Sequence, residues 1–196
     1  SYFTELNRKR PPLDEIDLVT FTNSSVVHAG DDRSVTEGLE TLPYITGSAA
    51  AIAGGKPWHA GPSALGMRAN PYGDAPMANP RNIRQAMNRM DPRQRGLLGA
   101  AWYVGYFAHL VRAGANAVTL GGGVGEFGIA HARMEYGQPF FDAAGGLYPT
   151  FHVFKGLAAI GGARSIAVDG TPAREVQGVA AKVRGTTEAW IANLTG

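Results

Sequence analysis

Five glycines fall within the eight residues Gly121–Gly128, directly after the short apolar run Ala117–Leu120. A parallel strand that empties into a glycine-rich loop is where α/β proteins place ligands, because glycine permits positive φ and close backbone approach. Two readings compete. Gly123-Val-Gly-Glu-Phe-Gly128 fits the dinucleotide pattern G-x-G-x-x-G. That pattern requires a helix to open at the loop. Here at most two turns fit before Pro139, Glu126 would repel a pyrophosphate, and no clear strand leads to Asp142, the residue spaced for a ribose. The other reading is the rim of a parallel (β/α) barrel, and it fits the loop better.

The rest of the chain supplies the alternation such a sheet needs. Ser1–Arg8 reads as the end of a helix closed by Pro11-Pro12, and Ile16–Thr22 as a buried strand followed by the polar loop Asn23–Asp32. Ser34-Val-Thr-Glu37 has the form of a capping box, and the helix it opens runs to about Ala53, interrupted at Pro43 and stopped by Gly54-Gly55. Trp58–Met67 is a second strand, and Arg68–Arg89 a long loop of the kind that carries function. Asp91-Pro92-Arg93-Gln94 starts a helix that ends at Gly114, with Ala117–Leu120 as the third strand, read as buried. Ala130–Gly146 is irregular, and Pro149–Ile160 is helical. The period then changes: Ser165–Val168, Glu175–Val183 and Glu188–Leu194 read as antiparallel strands with turns at Asp169-Gly170 and Arg184-Gly185. Strands alternating with helices imply parallel units with right-handed crossovers. Three units cannot close a barrel of about eight. The chain is therefore a small open sheet, or the last part of a barrel followed by the start of a β-domain.

The composition narrows the function classes. A net charge of +2 gives little drive toward nucleic acid, and Arg8-Lys9-Arg10 reads as a solvated loop. The arginines Arg81, Arg84, Arg89, Arg93 and Arg95 lack the aromatic interleaving of a single-strand binder. No apolar run nears the ~20 residues of a membrane span. The absence of cysteine removes thiol chemistry, fits a reducing compartment and makes a cytoplasmic location the expectation.

In a barrel, chemistry sits at the C-terminal ends of the strands. That rule selects His28, Asp31 and Asp32 after the first strand, Ser63, Arg68 and Asn70 after the second, and Glu126 after the third. Glu126, Asp31 and His28 are the candidate catalytic groups, with Glu126 first: a carboxylate among glycines serves no local apolar purpose. Arg68, Asp32, Asn70 and Ser63 are the candidate substrate contacts, since arginine clamps a carboxylate or an oxyanion. Asp31-Asp32 also suits a helix N-terminus on charge alone. None of these acids and histidines has metal-ligand spacing, so neither metal nor cofactor is expected.

Several blocks together resemble one family: Val27-His28-Ala29 with Asp31-Asp32-Arg33-Ser34-Val35, Gly61-Pro-Ser-Ala-Leu-Gly-Met-Arg68 with Asn70-Pro-Tyr-Gly73, Asn88-Arg-Met-Asp-Pro-Arg-Gln-Arg-Gly96, and Gly125-Glu-Phe-Gly128. The series is similar to the bacterial D-apionate lactonases over nearly the whole chain. The resemblance implies a larger enzyme whose central TIM barrel is related to glycoside hydrolase barrels, followed by a C-terminal β-domain. Residues 1–163 then correspond to the last three β/α units of a TIM (β/α)8-type barrel, and 164–196 to the opening antiparallel strands of the β-domain. The implied reaction opens D-apionolactone to D-apionate, and the implied partners are a small sugar lactone or sugar acid, with the rest of the same polypeptide or a second copy covering the cut edges. A retaining glycosidase needs two carboxylates about 5 Å apart. Gly61–Arg68 contains no acid, which disfavours glycosidase chemistry in this stretch. Lactone hydrolysis asks only for a base and oxyanion donors.

Overall fold

Helix α4, Leu97–Arg112, is the hub of the molecule, with a parallel sheet on one side and an antiparallel sheet on the other. The computed structural model describes residues 2–70, 72–133, 144–168 and 174–195. The expected turn at Asp169-Gly170, Pro139 and Asp142 lie outside the described residues.

The parallel sheet comprises β1 (Val19–Phe21), β2 (Trp58–Ser63) and β3 (Ala117–Leu120) in the order β1-β2-β3. A short helix α1 (Phe3–Arg8) precedes it, and Tyr2 forms a parallel bridge to Thr22 at the end of β1. Between β1 and β2 run α2 (Asp32–Glu37), a 3-10 turn (Gly38–Thr41) and α3 (Leu42–Ala53). Pro43 stands in the first turn of α3, so the expected interruption is real: proline lacks the N–H that would continue the preceding helix. Gly54 closes α3 in the left-handed conformation at φ 59°.

Two expectations need correction here. The cap of α2 is Asp31, whose carboxylate accepts from the Ser34 backbone N–H at 2.8 Å; Ser34 is inside the helix and no capping box forms. The helix starts earlier because the Asp31 carboxylate takes the free Ser34 N–H three residues on. Strand β3 alternates between exposed and half-buried positions and is not buried, because it is the edge of the sheet.

The strand period of two separates the faces. Val19, Phe21, Trp58 and Ala60 pack toward the helices. Thr20, His59 and Thr119 form a polar row on the other face, where His59 contacts the Thr20 hydroxyl at 3.4 Å through Nδ1 and the Thr119 hydroxyl at 2.8 Å through Nε2. That is the face a closed barrel turns inward.

After β3 come two short paired strands, β4 (Ala130–His131) and β5 (Gly146–Leu147), and then α5 (Pro149–Ala159). No helix opens at the glycine loop, which removes the dinucleotide reading. The last sheet comprises β6 (Arg164–Ile166), β7 (Val176–Val183) and β8 (Thr186–Asn193), all antiparallel. Arg184 and Gly185 both take positive φ, the two-residue hairpin geometry that lets β7 and β8 pair right up to the turn. Val179, Ala181, Ala192 and Leu194 join the same apolar core as α4 and the parallel sheet. Contact is close: a Cβ on Gly156 of α5 would lie 1.7 Å from the Trp190 ring.

Arg112 at the end of α4 donates to the Gln177 side chain at 2.7 Å and to the Gly178 carbonyl at 3.2 Å, tying the hub to β7. One turn earlier, burial first and the Arg112 charge second pull the His109 pKa down to about 4. An unfolded histidine titrates near 6.5. The unfolded chain therefore binds the extra proton first, and stability contributed by neutral His109 is lost as pH falls from about 6.5 toward 4. His109→Gln is expected to flatten that part of the pH–stability curve, as thermal melts between pH 7 and 4 would register; an unchanged slope would refute the assignment.

Candidate active site at the strand ends

Three loops meet beyond the C-terminal ends of β1, β2 and β3, and backbone bonds lace them together. The Met87 N–H donates to Val26 at 2.6 Å, Met67 to Asn88 at 2.8 Å, and Gly121 to Ser63 at 2.7 Å. The glycine loop is anchored from beneath by side chains of the α4 region. Gln94 donates to the Phe127 carbonyl at 3.2 Å and the Gly128 carbonyl at 3.1 Å, and its own oxygen accepts from Tyr103 at 2.8 Å. Desolvation raises the Tyr103 pKa beyond the ordinary tyrosine range, so it is a permanent donor here.

On this platform stands a cluster around the Phe127 ring. The Arg68 guanidinium lies 4.4 Å from the ring centroid and that of Arg89 lies 5.1 Å from it. Arg89 Nε donates to Glu126 Oε1 at 2.6 Å, and Arg89 Nη1 to the Arg68 carbonyl at 3.1 Å. Glu126 is largely buried, at 17% side-chain exposure. Arg68 has no carboxylate partner among the described residues. Its Nη2 donates to the Gly121 carbonyl, and its buried Nε has no acceptor among the described residues. Desolvation lowers its pKa below the usual arginine range, partly offset by Glu126, yet a guanidinium stays charged at neutral pH. The packing is exacting: a Cβ on Gly66 would lie 2.0 Å from the Arg89 carbonyl oxygen.

Beside it runs a second set of charges. Asp32 accepts from Arg84 at 2.6 Å and from Arg93 at 3.1 Å, and Arg93 reaches Asp91 at 2.6 Å, both of that last pair being buried. Burial works against the Arg93 charge, but Asp91 and Asp32 outweigh it and raise its pKa.

Of the residues selected from sequence, Arg68 and Glu126 are brought into one cluster. Asp32 has both oxygens committed to arginines. Asp31 caps α2 in full solvent, and the Ser34 hydrogen bonds hold its carboxyl below the usual aspartate range, which makes it a weak base. Asn70 shapes its own loop, accepting from the Tyr72 N–H at 2.9 Å and donating to the Ala75 carbonyl at 3.0 Å. Ser63 is not on the rim: it is buried on the helix side and bonds the Tyr106 hydroxyl at 2.7 Å, and Tyr106 donates to Asn23 at 2.6 Å. Strict alternation would put it on the His59 face; the register shift in β2 between Ala60 and Ser63 turns it to the helix side instead. His28 is exposed and lines a separate cavity behind the β1 loop. The sequence reading missed Arg89, Phe127 and Gln94. The first was one arginine in a basic run, and only folding assigns each member its acid.

A platform of parallel strand ends, a glycine rim and a guanidinium beside a carboxylate make up the candidate site. Residues 1–162 match the family described as D-apionate lactonase, TIM barrel domain. The chain belongs to this family. It is 42% identical over 162 residues to a D-apionate lactonase of Brucella anthropi, a match covering 83% of this chain and 26% of that protein. The chain thus spans about a quarter of the length of that relative. No solved structure matches it. Among the described residues, no helix is long and apolar enough to cross a membrane.

Proposed function

We propose that the protein hydrolyses a sugar lactone, with D-apionolactone as the substrate and the strand-end cluster as part of its active site. The observation that carries this is the family match over residues 1–162, which ends two residues before β6 begins at Arg164. The same boundary supports reading β1–β3 with their helices as the last three units of an eightfold barrel, and 164–196 as the opening of a C-terminal β-domain. The relative's printed activity is lactonase.

The chemistry asked of the cluster is modest. A base takes a proton from water as the oxygen attacks the lactone carbonyl. The carbonyl oxygen gains negative charge, the ring C–O bond breaks, the ring oxygen takes a proton, and a hydroxy acid leaves as its carboxylate. Glu126 is the base in this reading, its carboxylate oriented by Arg89. Arg68 faces the oxyanion and then the product carboxylate, the only charges the reaction creates on the substrate.

Assaying the full-length polypeptide on a panel of aldonolactones, with acid release followed by a pH indicator, tests the reading. Release above background from D-apionolactone is expected. Silence across the panel would overturn it.

A further inference from the structure

The loop that carries Glu126 is poor in residues that would stiffen it. Gly121 and Gly125 take positive φ, at 51° and 83°, and glycine loses more conformational freedom on ordering than any other residue. Within the loop the Gly128 N–H donates to the Gly125 carbonyl at 2.9 Å, and the Ile129 N–H to the Gly123 carbonyl at 3.1 Å. Glu126 and Phe127 stand side by side there and divide the cluster between them. One is the proposed base; the other is the ring against which Arg68 and Arg89 lie. Any shift of this backbone moves the base and the support of the guanidinium together.

A buried clamp holds that backbone from beneath. Gln94 is 1% exposed and belongs to the 3-10 turn Pro92–Arg95, which Asp91 caps. A Cβ on Gly99 would lie 2.1 Å from the Arg93 carbonyl oxygen, so the turn is seated directly on the first turn of α4. The Gln94 amide nitrogen donates to the carbonyls of Phe127 and Gly128 at 3.2 and 3.1 Å, which uses both of its N–H groups. The amide oxygen accepts from the Tyr103 hydroxyl at 2.8 Å. Tyr103 is itself fully buried, edge-on to Phe154 of α5 at 4.7 Å. A flipped amide would set its oxygen against two carbonyl oxygens, so Tyr103 and the loop together fix which way Gln94 points. Buried below the loop, Gln94 acts only through the residues it holds.

We propose that Gln94 is a positioning residue for lactone hydrolysis: its carboxamide, oriented by Tyr103, fixes the Phe127–Gly128 backbone so that Glu126 and Arg68 act on one lactone carbonyl. This rests on the strand-end cluster being the lactonase site.

The test is steady-state turnover of D-apionolactone by the full-length polypeptide and three variants, each melted at every assay pH so that rates refer to folded protein. Gln94→Leu keeps roughly the volume and removes all three hydrogen bonds. Its kcat is expected to fall about 30-fold, within the ~10²-fold that a misplacement of about 1 Å can cost. KM should stay within about twofold, because Glu126 and Arg68 meet no charge on the lactone before water adds. Tyr103→Phe removes only the orienting donor and lowers kcat about fivefold, the loss of one hydrogen bond. Gln94→Glu gives a readout that packing alone would not move. Neutral, it still donates to one loop carbonyl; ionised, it only accepts, and it faces carbonyl oxygens. Burial sets such a carboxyl above the ordinary glutamate range, so the ratio of its kcat to that of the parent should fall about tenfold between about pH 5 and 8. If Gln94→Leu fails to fold, the other two variants decide. Parent-like kcat in the variants, a loss carried by KM, or a flat ratio for Gln94→Glu, beside an active parent, would overturn the inference and leave the proposed function standing. A parent silent on lactones overturns the proposed function and this inference with it.

Discussion

Asp91→Ala is expected to cost about 3–5 kcal/mol of stability, the range for removing one member of a buried ion pair. Asp91 is buried and serves four donors: the Arg93 backbone N–H at 2.9 Å, Arg93 Nε at 2.9 Å, Arg93 Nη2 at 2.6 Å and Asn88 Nδ2 at 3.3 Å. Alanine leaves all four short of an acceptor and a 3%-exposed guanidinium with only Asp32 for charge compensation. The surviving contact at 3.1 Å keeps the loss toward the lower end of the range. For a chain of this size the midpoint of thermal unfolding falls by roughly 10 °C. Asp91→Asn separates the contributions: it keeps the cap to the Arg93 N–H and gives up the charge, so it falls between. A melt of Asp91→Ala within a degree or two of the parent would show that the pair carries no such weight.

The same residue shows how far sequence reading reaches. Asp91-Pro92 was legible as a helix start, because an N-cap acid before proline is a local signal. A 3-10 turn, Pro92–Arg95, does begin there, with Asp91 as its cap. That the carboxylate also holds Arg93 was not legible, since Asp91-Arg93 reads the same whether the arginine faces water or core. The parallel order of β1, β2 and β3 followed from alternation with helices, and the break at Pro43 followed from its missing N–H. Burial of β3 did not follow: an apolar run of four does not say whether it lies in the middle of a sheet or at its edge. Strand-end position picked out Arg68 and Glu126, which fold into one cluster, but it also drew in Ser63, which the register shift in β2 carries to the helix side. Local chemistry was readable. Pairings between distant segments were not, because Arg89 to Glu126 spans 37 positions and leaves no trace in spacing.

Arg68→Ala is expected to lower kcat for lactone opening by about 10²–10³-fold, the effect of removing one oxyanion donor. The lactone is uncharged, and negative charge appears only as water adds. An arginine engaged by that charge acts on the transition state and not on the ground state, so KM should move little while kcat falls. Arg68 suits the task because it has no carboxylate ion-pair partner among the described residues and Phe127 holds the guanidinium at 4.4 Å. Lysine at this position keeps the charge but gives up the planar fork and the stack, so Arg68→Lys should recover only part of the rate. The hydroxy acid product should inhibit the parent more strongly than Arg68→Ala, since the same guanidinium meets the carboxylate that is released. Glu126→Gln provides the contrast. It removes the base and releases Arg89, so kcat should fall by about 10²–10⁴-fold. A loss confined to KM would make Arg68 a docking contact, and a kcat within twofold of the parent would remove it from the reaction altogether.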